Sequence, residues 1–152
     1  QSLGANQPDT ARRVFRQGLI LSSGLGVVFM LPVLAGETLM IMLGQEAAVA
    51  ERARDYLFWS ALGLPASLVF LTMRFFTMGH GRAGPQLLAT FAGLGFNLVA
   101  NPVLAYGYGG LPALGLGGIA LATTLTYLVM CLSLGLIIGL NAPFTATRPY
   151  QR

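Results

Sequence analysis

A chain of 152 residues with 55% hydrophobic residues, 9% charged residues and a net charge of +4 lacks the polar shell of a soluble domain, where about a quarter of residues are charged, so lipid is the expected solvent of its outward faces. The nine basic residues, all arginine, fall at the ends of apolar runs rather than in one patch, which argues against nucleic acid as a partner. One Cys and one His exclude an internal disulfide and a dedicated zinc cluster, so no metal ligands are assigned.

Residues 1–16 are polar, with Pro8 and three arginines, and lead into a helix that Asp9 or Thr10 is suited to cap. The chain opens at Gln1 without a charged leader, apolar core and cleavage site, so no signal peptide is expected, and its start without Met suggests a fragment. The first span is placed at about 14–36. Its uncharged stretch from Gly18 to Gly36 approaches the roughly 20 residues that cross about 30 Å of hydrocarbon, and Pro32 is a candidate kink. Segment 37–55 holds four acids and two arginines around an apolar stretch too short to cross, and is expected to be a long, partly helical connection at the interface.

The second span is placed at about 56–76. Tyr56 and Trp59 suit one membrane edge and Arg74 the other. A Gly-rich turn with the lone His80, expected at the surface, leads to the third span at about 85–106, where Pro85 fits the first helical turn. The uncharged loop 107–115 precedes the fourth span, at about 116–140, in which Cys131 is expected to be an inert packing thiol. The fold class is therefore all-α integral membrane with four transmembrane helices. Net loop charges run +2, −2, +2, 0 and +2 from the first segment to the tail. The positive-inside rule then puts both ends in the cytoplasm, consistent with an even number of spans, which puts both ends on one side.

The spans carry no interior Asp or Glu, so a membrane carboxylate that holds a coupling ion would lie outside this chain. Polar residues do share faces. In the third span Thr90, Gly93, Asn97 and Asn101 lie within about 80° of one another. The two asparagines are one turn apart, and Pro102 leaves the carbonyl of Leu98 without its helical donor. Two readings stand: interhelical hydrogen-bond glue, which spacing alone favours, and amide carbonyls that help to hold a cation. In the fourth span Thr123, Thr126 and Tyr127 cluster behind a run of small residues. They suit close packing, with the threonines bonded to their own backbone, or a cavity wall. The glycine string ahead of them lacks the strand–turn–helix setting of a dinucleotide site. Ser60, Gly63, Ser67 and Arg74 form a stripe on the second span, a packing face with a kink at Pro65 or a cavity lining. Ser60, Ser67, Thr90, Thr126 and Tyr127 are thus possible cavity-lining residues. No nucleophile–base arrangement suggests an enzyme.

Motifs in order along the chain resemble the multidrug and toxic compound extrusion (MATE) transporters. They are Gln1 to Ala5, Arg16 to Leu19, Tyr56-Leu57 with Gly63 to Ala66, Met73 to Phe76, Gly79 to Pro85, Asn97 to Asn101, Tyr106-Gly107, Leu114-Gly115, Gly118 and Ala120 to Thr123. The resemblance covers nearly the whole chain. It implies helices three to six of the amino-terminal lobe of a twelve-helix, two-lobe antiporter in a bacterial inner membrane. Such a protein exports amphipathic, often cationic compounds by alternating access, driven by H⁺ or Na⁺ as coupling ion, with no other cofactor. The remaining helices and membrane lipid are its implied partners. In the family, a cation site pairs an Asp on helix one with polar residues of helices five and six. Asn97, Asn101 and Thr123 match the latter, although some relatives carry Asp where Asn101 stands. A lipid-linked sugar flippase of the same superfamily and a non-transporting assembly subunit are the alternatives.

Overall fold

The computed structural model describes residues 8–140, with side chains from Arg13 onward. The expectations for residues 1–7 and for the basic tail with Arg148 and Arg152 lie outside the described residues. All regular structure among these is helical: α1 (Pro8–Leu34), α2 (Gly36–Met42), α3 (Ala47–Gly79), α4 (Gly84–Tyr106) and α5 (Gly115–Leu140), with a single 3₁₀ turn at Tyr108–Gly110. Four of these helices are long and apolar enough to cross a membrane. They are the four expected spans.

The helices start and stop for local reasons. Pro8 opens α1, where its missing N–H leaves nothing unsatisfied. Asp9 and Thr10 therefore sit inside the first turn rather than before it. Pro32 does more than kink α1. The helix ends two residues later at Leu34, and α2 resumes after Ala35. At the other end of α2, Gly44 takes φ +84°. Its N–H donates to the Ile41 carbonyl and the Gln45 N–H to that of Met40, the paired bonds that close a helix on a left-handed residue. Gly81, at φ +68°, ends α3 in the same way, with N–H bonds from Gly81 to Met78 and from Arg82 to Thr77.

The connection expected at 37–55 is helical, as anticipated in part, but its second half is continuous with the second span. Only 43–46 is a loop, and Ala47–Asp55 is the first part of α3. The sequence AAVAERARD contains good helix formers and no breaker, so the helix is continuous through the charges into the apolar run. At 33 residues, α3 is about 50 Å long, against about 30 Å of hydrocarbon. Glu37 of α2 meets Arg54 of this charged stem at 3.6 Å, a solvent-exposed pair that contributes well under about 1 kcal/mol. The other end of α3 also runs further than expected, to Gly79. His80 is its cap, half-buried rather than free at the surface, with Nδ1 2.8 Å from the Phe76 carbonyl and its ring edge-on to Phe76.

The long helices form a row in the order α1, α3, α5, α4. Helix α3 packs against α1 and α5, α5 against α3 and α4, and α1 meets neither α4 nor α5. Lipid tails are as apolar as leucine, so packing and hydrogen bonds must hold such a row. Small residues supply the close approach. A Cβ on Gly26 of α1 would lie 2.4 Å from Pro65 Cα of α3. A Cβ on Gly118 of α5 would lie 2.3 Å from the Leu104 carbonyl oxygen of α4. Phe70, Ala89 and Leu134 form a small buried cluster, backed by Met73, Met130, Cys131 and Ile138. Ile20, Phe29, Phe91, Leu98, Leu132 and Leu136 stay largely exposed, a surface suited to lipid or to further helices.

Candidate functional site: a hydrogen-bond chain between two spans

At 100° per residue, α5 presents two stripes about 170° apart. Gly117, Ala120, Thr124 and Cys131 face α3. Gly117 sits against Asp55 and Trp59, the Thr124 hydroxyl donates to the Trp59 carbonyl at 2.6 Å, and the Cys131 thiol donates to the Ala66 carbonyl at 3.1 Å. Gly118, Ala122, Thr126 and Met130 form the second stripe, of which Gly118, Thr126 and Met130 meet Leu104, Asn97 and Gly93 of α4. The packing role expected of Cys131 thus includes a specific polar contact.

The α4 side carries the polar chain. Asn101 Nδ2 donates to Asn97 Oδ1 at 2.8 Å. Asn97 Nδ2 donates to Thr126 Oγ1 at 2.9 Å. The Thr126 hydroxyl donates to the Ala122 carbonyl at 2.8 Å. The far end is Asn101 Oδ1, a buried acceptor without a hydrogen-bond partner among the described residues. Leaving such a group unpaired costs about 1–3 kcal/mol. The chain carries no formal charge and lies well inside the spans. It suits a cation, or a neutral acid with a proton to donate. The unpartnered carbonyl oxygen disfavours an anion beside it.

The other expected site residues fall differently. Thr123 lies to the side of both α5 stripes. It is exposed, its hydroxyl donates to its own Ile119 carbonyl at 3.0 Å, and it does not join the asparagines. Tyr127, one turn on, is half-buried on the same flank of the row. Thr90 is exposed and bonded back to the Gln86 carbonyl at 2.8 Å. Ser67 donates to the Leu64 carbonyl at 2.8 Å, and Ser60 is half-buried. Gly63 of that α3 stripe packs directly on Thr124, supporting a packing face. A cleft of about 450 Å³ is lined by Leu34, Glu37, Arg54, Asp55, Leu57 and Phe58. Another of about 480 Å³ lies around Arg82, Pro85, Leu88 and Ile137. None of the expected cavity-lining residues borders either cleft. Thr124 lies outside the polar cluster of Thr123, Thr126 and Tyr127 that the sequence suggests on α5. The four-residue stripe from Gly117 to Cys131 was the available signal.

Comparison with known proteins agrees with this architecture. The chain is 36% identical over 149 residues to a probable multidrug resistance protein NorM of Bradyrhizobium diazoefficiens, covering 98% of this chain and 32% of the relative. It is 33% identical over 143 residues to a probable multidrug resistance protein NorM of Pseudomonas putida, covering 94% and 31%. A multidrug resistance protein NorM of Vibrio parahaemolyticus is 31% identical over 115 residues, 76% of this chain and 25% of that one. The chain thus spans about a third of the length of the first two of these relatives. The family model MatE matches residues 1–103, which takes in α1 to α3 and most of α4, Asn97 and Asn101 included. On this match and these identities, this multi-pass membrane chain belongs to the MatE family.

Proposed function

We propose that the chain forms helices three to six of the amino-terminal lobe of a cation-coupled exporter, and that the α4–α5 polar chain is part of its coupling-ion site. The whole protein exports amphipathic, often cationic compounds across a bacterial inner membrane by alternating access, driven by H⁺ or Na⁺. Both ends of this chain face the cytoplasm, as the loop charges favour. The relatives' printed names support multidrug export. The nearly uncharged spans support a lipophilic cation over a phosphate-bearing lipid as cargo.

The observation that carries the site is the buried, unpartnered Asn101 Oδ1. It can ligate Na⁺ directly or accept from a protonated carboxyl on a helix outside this chain. The exposure of Thr123 on one flank of the row supports a contact with such a helix. The test is dye efflux by the full-length transporter in vesicles under imposed H⁺ and Na⁺ gradients, normalised to folded protein. Asn101→Ala should leave the folded amount similar and weaken the dependence on the driving ion. An ion dependence equal to the parent in Asn97→Ala, Asn101→Ala and the double variant would refute the site.

A further inference from the structure

We propose that Thr126 is a positioning residue that sets the polarity of the asparagine pair, so that the site offers an acceptor rather than a donor. The inference deepens the cation-site reading above and rests on it. A threonine hydroxyl has one hydrogen. Thr126 commits it to the Ala122 carbonyl at 2.8 Å, the back-bond open to a threonine inside a helix. Its oxygen can then only accept, so Asn97 must turn its Nδ2 towards it, as it does at 2.9 Å. Asn97 Oδ1 is thereby directed at Asn101, which must answer with Nδ2, at 2.8 Å. Of the polar atoms of these three side chains, the one left with no partner is the Asn101 carbonyl oxygen.

The same three side chains admit the opposite order. If the Thr126 hydroxyl turned to Asn97, both amides would reverse and Asn101 would present N–H groups. These attract an ionised carboxylate and repel a cation. What opposes that turn is the loss of the 2.8 Å bond to the Ala122 carbonyl, since the hydroxyl hydrogen rotates about its own bond without moving the side chain. A Cβ on Gly93 would lie 2.4 Å from Met130 Cγ and 3.3 Å from Thr126 Cγ2, so both side chains fill the space that Gly93 leaves, and the Thr126 methyl helps to hold the rotamer in which Oγ1 reaches the Ala122 carbonyl. One hydroxyl proton thus decides, two residues away, which sign of charge the site receives.

The experiment uses the full-length transporter in proteoliposomes with a lipophilic cationic dye, and reads folded amount, the half-saturating concentration of the driving ion and the pH profile of efflux. Thr126→Val keeps the shape and removes the hydroxyl. It should fold to near-parent amounts, raise the half-saturating ion concentration by about 2- to 10-fold, the equivalent of one hydrogen bond, and shift the pH profile. Thr126→Ser should restore both. Thr126→Ala, smaller and tolerated at close helix contacts, gives the same reading should the valine variant not accumulate. Unchanged ion dependence in the valine and alanine variants, with Asn101→Ala still altering it, would overturn the relay and leave the site standing. Failure of serine to restore the profile would show that shape rather than the hydroxyl matters, and would also overturn the relay. No change in any of these variants, Asn101→Ala included, would remove the site and the relay together.

Discussion

Four glycines at helix contacts supply a graded test of how the row is held. A methyl added at Gly118 meets the Leu104 carbonyl oxygen at 2.3 Å and its carbon at 2.6 Å. These are backbone atoms and cannot swing aside. The Leu104 oxygen also accepts from the Leu114 N–H at 3.0 Å, the bond that closes the α4–α5 connection. Overpacking of about 1–3 kcal/mol, with about 1 kcal/mol for that bond, gives about 2–4 kcal/mol of destabilisation for Gly118→Ala. Gly26→Ala meets the Pro65 backbone at 2.4 Å and should cost about 1–3 kcal/mol. Gly93→Ala meets the Met130 side chain at 2.4 Å. A thioether side chain can re-pack, so the cost should stay under about 1.5 kcal/mol. Gly135→Ala finds its nearest neighbour, Met73 Cε, at 3.8 Å and should be neutral or gain up to about 1 kcal/mol of helix propensity. The assay is thermal stability of the detergent-solubilised full-length transporter, read as loss of the monodisperse species. Equal midpoints for Gly118→Ala and Gly135→Ala would refute the close approach of α4 and α5.

Thr124→Val, which loses the bond to the Trp59 carbonyl, should cost about 0.6 kcal/mol in the same assay and leave ion coupling unaltered; altered coupling would move the site toward α3. In a Cys131→Ala background, cysteines at Gln45 and Gly109 should react with an impermeant thiol reagent from outside and one at Gly81 only from the cytoplasm, the reverse pattern overturning the orientation. Expression of the full-length transporter should lower cellular accumulation of lipophilic cationic dyes, and unchanged accumulation across several dyes at confirmed expression would count against the cargo class. Arg54→Ala, which removes the exposed pair with Glu37, should change stability by less than about 1 kcal/mol, a larger loss showing that α2 is held mainly by that pair.

The spans were legible because length and hydropathy govern them and because charge ends most of the apolar runs, with glycine and proline marking the uncharged loop 107–115. The asparagine pair was legible from its one-turn spacing. Its link to Thr126 was not, because spacing on one helix says nothing of what the next helix offers. Thr123 and Thr126 differ by only about 60° on α5, yet one is exposed and the other meets Asn97. The order α1, α3, α5, α4 was equally hidden, since it depends on pairwise fits such as Gly26 with Pro65 and Gly118 with Leu104. The charged stem of α3 was misread for a different reason. Hydropathy marks where a helix leaves the membrane, not where it ends, and nothing in 47–55 breaks it.

The length of α3 also fixes its vertical register. Asp55 and Arg74 stand about 28 Å apart along the helix at 1.5 Å per residue, close to the thickness of the hydrocarbon layer. Both are exposed. A slide of one turn, about 5.4 Å, in either direction pushes one of these charges into the lipid while withdrawing the other from it. Depth-dependent penalties of up to about 3 kcal/mol per charge oppose that slide. Helix α3 therefore behaves as a depth gauge for the row. The two charges thus oppose travel of the row along the membrane normal.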